Sequence, residues 1–201
     1  MKSTDLRIGN YVHGPMNEKH IHTEANIQRA LRNKYHGTSK YVVENIYIFN
    51  HDWESDIFAL KTNGYCYEVE IKISKADFFA DLKKVKKHSI LSTGKYNEGH
   101  GMRDHKFRPN KFYYCCPKGL IDVQDVPEYA GLLEVQEWGS CIEEIKKAPF
   151  IHKEILDINN KVAHKFYAYW RSAEQDKREL KSKIEVLKNK LKQPNLFNPP
   201  E

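Results

Sequence analysis

Apolar side chains at every second position, Tyr65, Tyr67, Val69, Ile71 and Ile73, form the most regular strand pattern in the chain. Successive strand residues point to opposite sheet faces, so this alternation predicts a strand buried on one face. The other face then carries Glu68, Glu70 and Lys72. Asn63-Gly64 is a hairpin signal joining this strand to an earlier one over residues 55–60. Residues 41–49 and 110–117 read as two more strands, and 126–135 as a turn into a last core strand. An edge strand is expected over 141–148, where Pro149 closes the globular part.

Helical signals fall between these strands. Thr23 caps a helix over 23–35, with Ile27, Ala30 and Leu31 at helical spacing and Gly37 at its end. Ser74, with the capping-box acid Asp77, opens a second helix expected to run from Lys75 to about Leu91. From residue 152 to 192 the apolar positions, among them Ile158, Val162, Phe166, Leu180 and Leu187, recur at spacings of three and four. The aromatic first half, with Phe166, Tyr169 and Trp170, is expected to pack on the core. The charged second half is either a coiled coil that makes a homodimer or a protruding helix. The expected fold is therefore α/β: a mixed central sheet flanked by helices, with a long C-terminal helix. Its divisions are an N-terminal arm (1–20), the main domain (21–150), the long helix (151–192) and an extended tail (193–201).

The strand pattern also places chemistry. Glu70 and Lys72 share a face, and Asp56 stands at the start of the hairpin-paired neighbouring strand. Two carboxylates can hold a hard divalent cation such as Mg²⁺, and a nearby ammonium can steady developing charge. A bare E-x-K is more often a salt bridge on a solvated sheet face, Glu70 with Lys72 or Lys61, and Asp56 also reads as a turn acid.

The segments after Lys72 add specificity. The chain reads E-I-K, then S-K-A-D-F-F-A-D-L-K over 74–83, a tyrosine-rich strand at 110–117, and P-E-Y-A-G-L over 127–132. In that order these motifs resemble the MmcB-like DNA-repair family of the PD-(D/E)xK nuclease superfamily, over roughly residues 55–135. Two departures stand out: the Trp-Pro after the helical lysine is absent, and a long insertion precedes the next strand. The resemblance implies a restriction-endonuclease-like sheet and metal-dependent cleavage of DNA. Asp56, Glu70 and the Ile71 carbonyl would ligate Mg²⁺, with Mn²⁺ as a substitute, and Lys72 would position the attacking water. Glu24 on the first helix is a further candidate near the metal; an acid steadying that helix terminus is the plainer reading. The alternative function is a non-catalytic DNA-binding repair accessory with a vestigial site.

Charge and composition agree with a polyanionic partner without proving one. The chain of 201 residues carries a net charge of +6 with pI ≈ 9.0. Lys75, Lys83 and Lys84 on the second helix, and Lys95, Arg103, Lys106 and Arg108 in a glycine-rich insertion at 92–109, are the expected DNA contacts. The four cysteines show no C-x-x-C pair and read as reduced core residues of a cytoplasmic protein. No apolar run approaches the ~20 residues of a membrane span. In the tail, Gln193, Leu196 and Phe197 are similar to the peptide with which repair proteins bind the bacterial sliding clamp, although Pro194 departs from it.

Overall fold

A computed structural model describes residues 22–49, 53–97, 99, 101–136 and 141–192. The N-terminal arm and the tail residues Gln193, Leu196 and Phe197 lie outside them. The architecture is α/β, as expected. Six strands form the central sheet in the order β1 (Ser39–Ile46), β2 (Ser55–Lys61), β3 (Cys66–Ile71), β6 (Lys111–Pro117), β7 (Ala130–Val135), β8 (Ile142–Lys146). β1, β2 and β3 run antiparallel to one another, β3, β6 and β7 run parallel, and β8 returns antiparallel at the edge. The β2–β3 turn uses Gly64 at φ +89, a conformation natural to glycine. There the Asn63 side chain accepts a bond from the Tyr65 N–H at 3.2 Å.

Helix α1 (Glu24–His36) covers one sheet face. Its Ile27, Leu31 and Tyr35 pack on Ile57, Ala59, Val69 and Ile71. Thr23 caps it reciprocally with Asn26. The opposite face is shared. Phe78 and Leu91, from α2 (Lys75–Asp81) and α3 (Val85–Thr93), pack on Phe112, Tyr114 and Leu132. Ile158 and Val162, at the start of α4 (Asn159–Lys192), pack on Phe58, Leu60 and Cys66.

Covering both faces changes the reading of β3. Every residue of this strand except Tyr67 is buried, including Glu68 and Glu70, and Lys72 beyond its end is buried too. The charged face is thus roofed by α2 and α3 rather than solvated, as befits a central strand flanked on both sides. Ile73, expected in the apolar row, is half exposed.

Other boundaries also move. The single helix expected over 75–91 is two, because backbone bonds tighten between them: Lys84 N–H reaches the Asp81 carbonyl at 2.9 Å and Val85 N–H reaches that of Lys83 at 2.9 Å. The insertion at 92–109 holds the end of α3 and a small hairpin, β4 (Lys95–Asn97) with β5 (Met102–Asp104). The long helix starts at Asn159 rather than 152. Asn110 holds the preceding segment extended: its carbonyl accepts from Ile151 N–H at 2.8 Å, and its Nδ2 donates to the His152 and Glu154 carbonyls at 3.1 and 2.8 Å. So α4 leaves the body after Val162, and Phe166, Tyr169 and Trp170 are exposed instead of packed on the core. Three cysteines are buried thiols, but Cys141 is exposed. No helix among the described residues is long and apolar enough to cross a membrane.

Asn110 is wholly buried, and its Oδ1 also accepts from Cys66 N–H at 2.7 Å. It therefore ties β3, β6 and the run into α4 together. Asn110→Ala strands a strand amide and two carbonyls and should cost about 2–4 kcal/mol, read as a lower urea midpoint with unchanged m-value.

Candidate active site

The polar end of the β2–β3 face is where α2 and α3 meet the sheet. Asp56 opens β2, and its Oδ2 accepts the Ile71 N–H at 2.6 Å, which ties the two strand ends together. Glu70 stands one residue away, and its oxygens are held by two different ammonium groups: Lys72 Nζ at 2.8 Å from Oε1 and Lys87 Nζ at 2.8 Å from Oε2. So the structure brings Asp56, Glu70 and Lys72 into one cluster. Glu24 is exposed at the start of α1, where its Oε1 accepts from Gln28 at 3.3 Å. Its charge adds to the upward push on Asp56.

Sequence reasoning misses Asp81 and Lys87, and it places Glu68 on the charged face without a role in the cluster. Asp81, at the end of α2, is 1% exposed and accepts from Lys84 at 2.8 Å, Lys87 at 3.2 Å and the Tyr114 hydroxyl at 2.9 Å. Lys87, on α3, is 2% exposed and bridges Asp81 to Glu70, its ammonium lying 5.3 Å from the Phe112 ring centroid. Glu68 is wholly buried and accepts the Trp53 indole N–H at 3.0 Å. A charged residue on a helix or strand ordinarily reads as solvated, and periodicity alone gives no sign that both faces of β3 are covered. The one available signal is S-x-x-D-F-x-x-D itself: Asp81 lies four positions after Asp77 and three after the core residue Phe78.

The helix break at 82–84 is what makes this cluster possible. Residues six apart on a continuous α-helix lie about 240° around its axis, so Asp81 and Lys87 would point apart. The tight turn between α2 and α3 brings them together. His88 secures that turn. Its Nε2 donates to the Asp81 carbonyl at 2.7 Å, leaving Nδ1 to accept from the Tyr129 hydroxyl. Burial lowers the His88 pKa, consistent with this neutral form.

Burial and charge divide the acids into two kinds. Burial, reinforced by the Glu70 charge, pushes Asp56 up to about 7. Burial likewise pushes Glu68 up to about 7. Burial would raise Asp81 as well, but Lys87, Lys84 and Lys72 outweigh it and hold that carboxyl well below the usual range. For Lys72 and Lys87, burial works against the charge, and the surrounding carboxylates overcome it and raise both pKa values.

Among the described residues no three His, Cys, Asp or Glu side chains converge as a ready metal-ligand set. The donors nonetheless suit a hard cation that keeps several waters, which needs only one or two carboxylates. Asp56 and Glu70 are close enough for one charge to raise the other's pKa, and a dication between them would relieve that repulsion. The cost is competition with the ammonium groups now on Glu70.

Most of the expected DNA contacts are on the surface. Lys75, Lys83, Lys84, Lys95, Arg103 and Lys106 are exposed. Arg108 instead turns inward, donating to the Ile90 carbonyl at 2.9 Å across Gly94. It serves the end of α3. On the other face of the sheet, Lys34, Lys61, Lys111 and Lys147 line a cleft of about 360 Å³ with Tyr35, Tyr67 and Tyr113.

The architecture is similar to a solved structure described as "SPO1766 protein of unknown function from Silicibacter pomeroyi". The two share 18% identity with a TM-score of 0.51, over 86% of this chain and 93% of that one. At that identity the likeness is one of fold alone. No protein-family model matches the chain, and no curated protein matches it.

The two kinds of acid predict an unusual pH response. A carboxyl whose folded pKa exceeds its unfolded value binds its proton more tightly when folded, so stability falls as pH rises between the two values. For Asp56 that window runs from 3.8 to about 7. Asp81 acts oppositely, its contribution being lost as pH falls below its ordinary carboxylate range. In EDTA, Asp56→Asn should be more stable than the parent at pH 8, by about 1–2 kcal/mol, and should lose most of that advantage at pH 5. Lys87→Met strips Glu70 and Asp81 of a shared counter-ion and should cost about 3–5 kcal/mol at both. Urea titrations at the two pH values check both variants.

Proposed function

We propose that the protein is a metal-dependent DNA phosphodiester hydrolase of the PD-(D/E)xK type. The observation that carries this reading is the meeting of Asp56, Glu70 and Lys72 at the adjoining ends of β2 and β3, with Asp56 raised to about 7. Asp56 and Glu70, with the Ile71 carbonyl, would hold Mg²⁺ or Mn²⁺. Such an ion supplies a polarised phosphoryl oxygen and a more acidic water.

The chain's own groups have distinct tasks in this reading. Lys72 is kept charged by Glu70, Asp81 and Asp77, so it would offer a fixed positive group to the water or to the charge developing on phosphate. Lys87 and Asp81 would hold Glu70 and Lys72 in place from beneath. The exposed lysines along α2 and the turn after it, with Lys95, Arg103 and Lys106, would meet backbone phosphates and read no sequence.

A specific observation favours a second reading, a DNA-binding repair accessory. Both Glu70 oxygens already carry an ammonium partner, which a cation would have to displace or share. A clamp-bound tail through Gln193, Leu196 and Phe197 is compatible with either reading and rests on sequence alone.

Asp56→Asn, Glu70→Gln and Lys72→Met should each lower Mg²⁺-dependent cleavage at least ~10³-fold, on a panel of single-stranded, branched and mismatched DNA. Thermal melts should show that each variant is folded. Calorimetry with Mn²⁺ gives an independent reading. Affinity should fall about tenfold per pH unit below pH 7, where a cation competes with the Asp56 proton. Mn²⁺ binding without cleavage of any substrate selects the accessory. Cleavage by all three variants at the parent's rate refutes the nuclease.

A further inference from the structure

From Ala163 to Leu191 every residue of α4 except Glu174 is exposed, so the helix projects from the body into solvent. Most of its apolar residues fall on one line, with Tyr167, Tyr169 and Val186 off it. From Phe166 a single stripe runs through Trp170, Ala173, Leu180 and Leu187 to Leu191, in alternating steps of four and three that include Lys177 and Ile184. That is the seam of a coiled coil. Helices in water owe most of their stability to packing of such a face, and here the chain's own sheet supplies none.

We propose that α4 pairs with α4 of a second copy as an antiparallel coiled coil centred between Arg178 and Glu179. In that register every seam position finds a partner. Phe166 meets Leu191 of the second copy, Trp170 meets Leu187, and the small Ala173 meets Ile184. Lys177 lies against Leu180, which its aliphatic stem can cover while the ammonium reaches water. The overlap stops at Phe166, just short of Val162, where α4 enters its own core.

Charge chooses the direction. Beside the seam, the first half of the helix carries Glu174 and Asp176, and the second half carries Lys181, Lys183, Lys188 and Lys190. Residues flanking a seam pair across it and set orientation. Antiparallel pairing places Glu174 beside Lys181 of the second copy and Asp176 beside Lys183. Parallel pairing would stack Lys177 on Lys177 and set Lys183 beside Lys188, like charges in both cases.

The test uses the full chain with Cys141→Ser, which removes the exposed thiol. Light scattering at ~50 µM should give the dimer mass, and Leu187→Asp should give a monomer whose body still unfolds cooperatively in urea at an unchanged midpoint. Glu174→Lys with Asp176→Lys should weaken the dimer about tenfold or more at low salt. For orientation, Ala173→Cys combined with Ile184→Cys should oxidise to a covalent dimer, and Ala173→Cys alone should not, its two copies lying about 16 Å apart along the axis in this register. A monomeric parent, a dimeric Leu187→Asp variant, or crosslinking by Ala173→Cys alone as readily as by the pair would each overturn the proposal.

Discussion

The ion pair that the site depends on most is the contact of Lys87 with Glu70 and Asp81. It joins the central strand to the helical roof, from positions far apart in sequence, where almost no water enters. Charges so placed are expensive unless each has a close partner. Lys87 has two acids, Asp81 has three ammonium groups and a phenol, and Glu70 has two ammonium groups. Removing Lys87 strips both buried acids of a shared partner at once. The helix break, the neutral His88 beneath it and the Tyr114 hydroxyl all serve the need to bring these groups together.

That same network explains which features are legible in the sequence and which are not. The strands, the Asn63-Gly64 turn and the Thr23 and Ser74 caps are readable, because each is a local rule about spacing or a single backbone group. Asp56, Glu70 and Lys72 can be found because E-x-K sits on a strand beside a hairpin partner. The burial of Glu68 and the part played by Asp81 and Lys87 cannot, because period two allows only one buried face to be inferred, whereas β3 is covered on both. Lys87 looks like one more basic residue on a solvated helix. Its burial depends on a turn that no glycine or proline announces.

The C-terminal helix shows the converse error. Aromatic residues at helical spacing suggest packing on the core, and the spacing is real. What the spacing cannot show is that Asn110 holds the backbone over 151–154 extended, so that α4 begins late and leaves the sheet after Val162. A contact made by one buried asparagine thus decides which half of a long amphipathic helix has an intramolecular partner.

Charge counting shows what a cation would change under the nuclease reading. The pairs Glu70 and Asp81 against Lys72 and Lys87 balance without outside help. Asp56 and Glu68 stand apart from that balance, each raised to about 7 chiefly because burial disfavours a further negative charge. The resting cluster is therefore close to neutral while both hold their protons. A divalent cation would bring two positive charges, and Asp56, the raised carboxyl beside Glu70, would release its proton in answer. Under the nuclease reading, the roof fixes Glu70 and Lys72 while Asp56 supplies the charge that a metal needs.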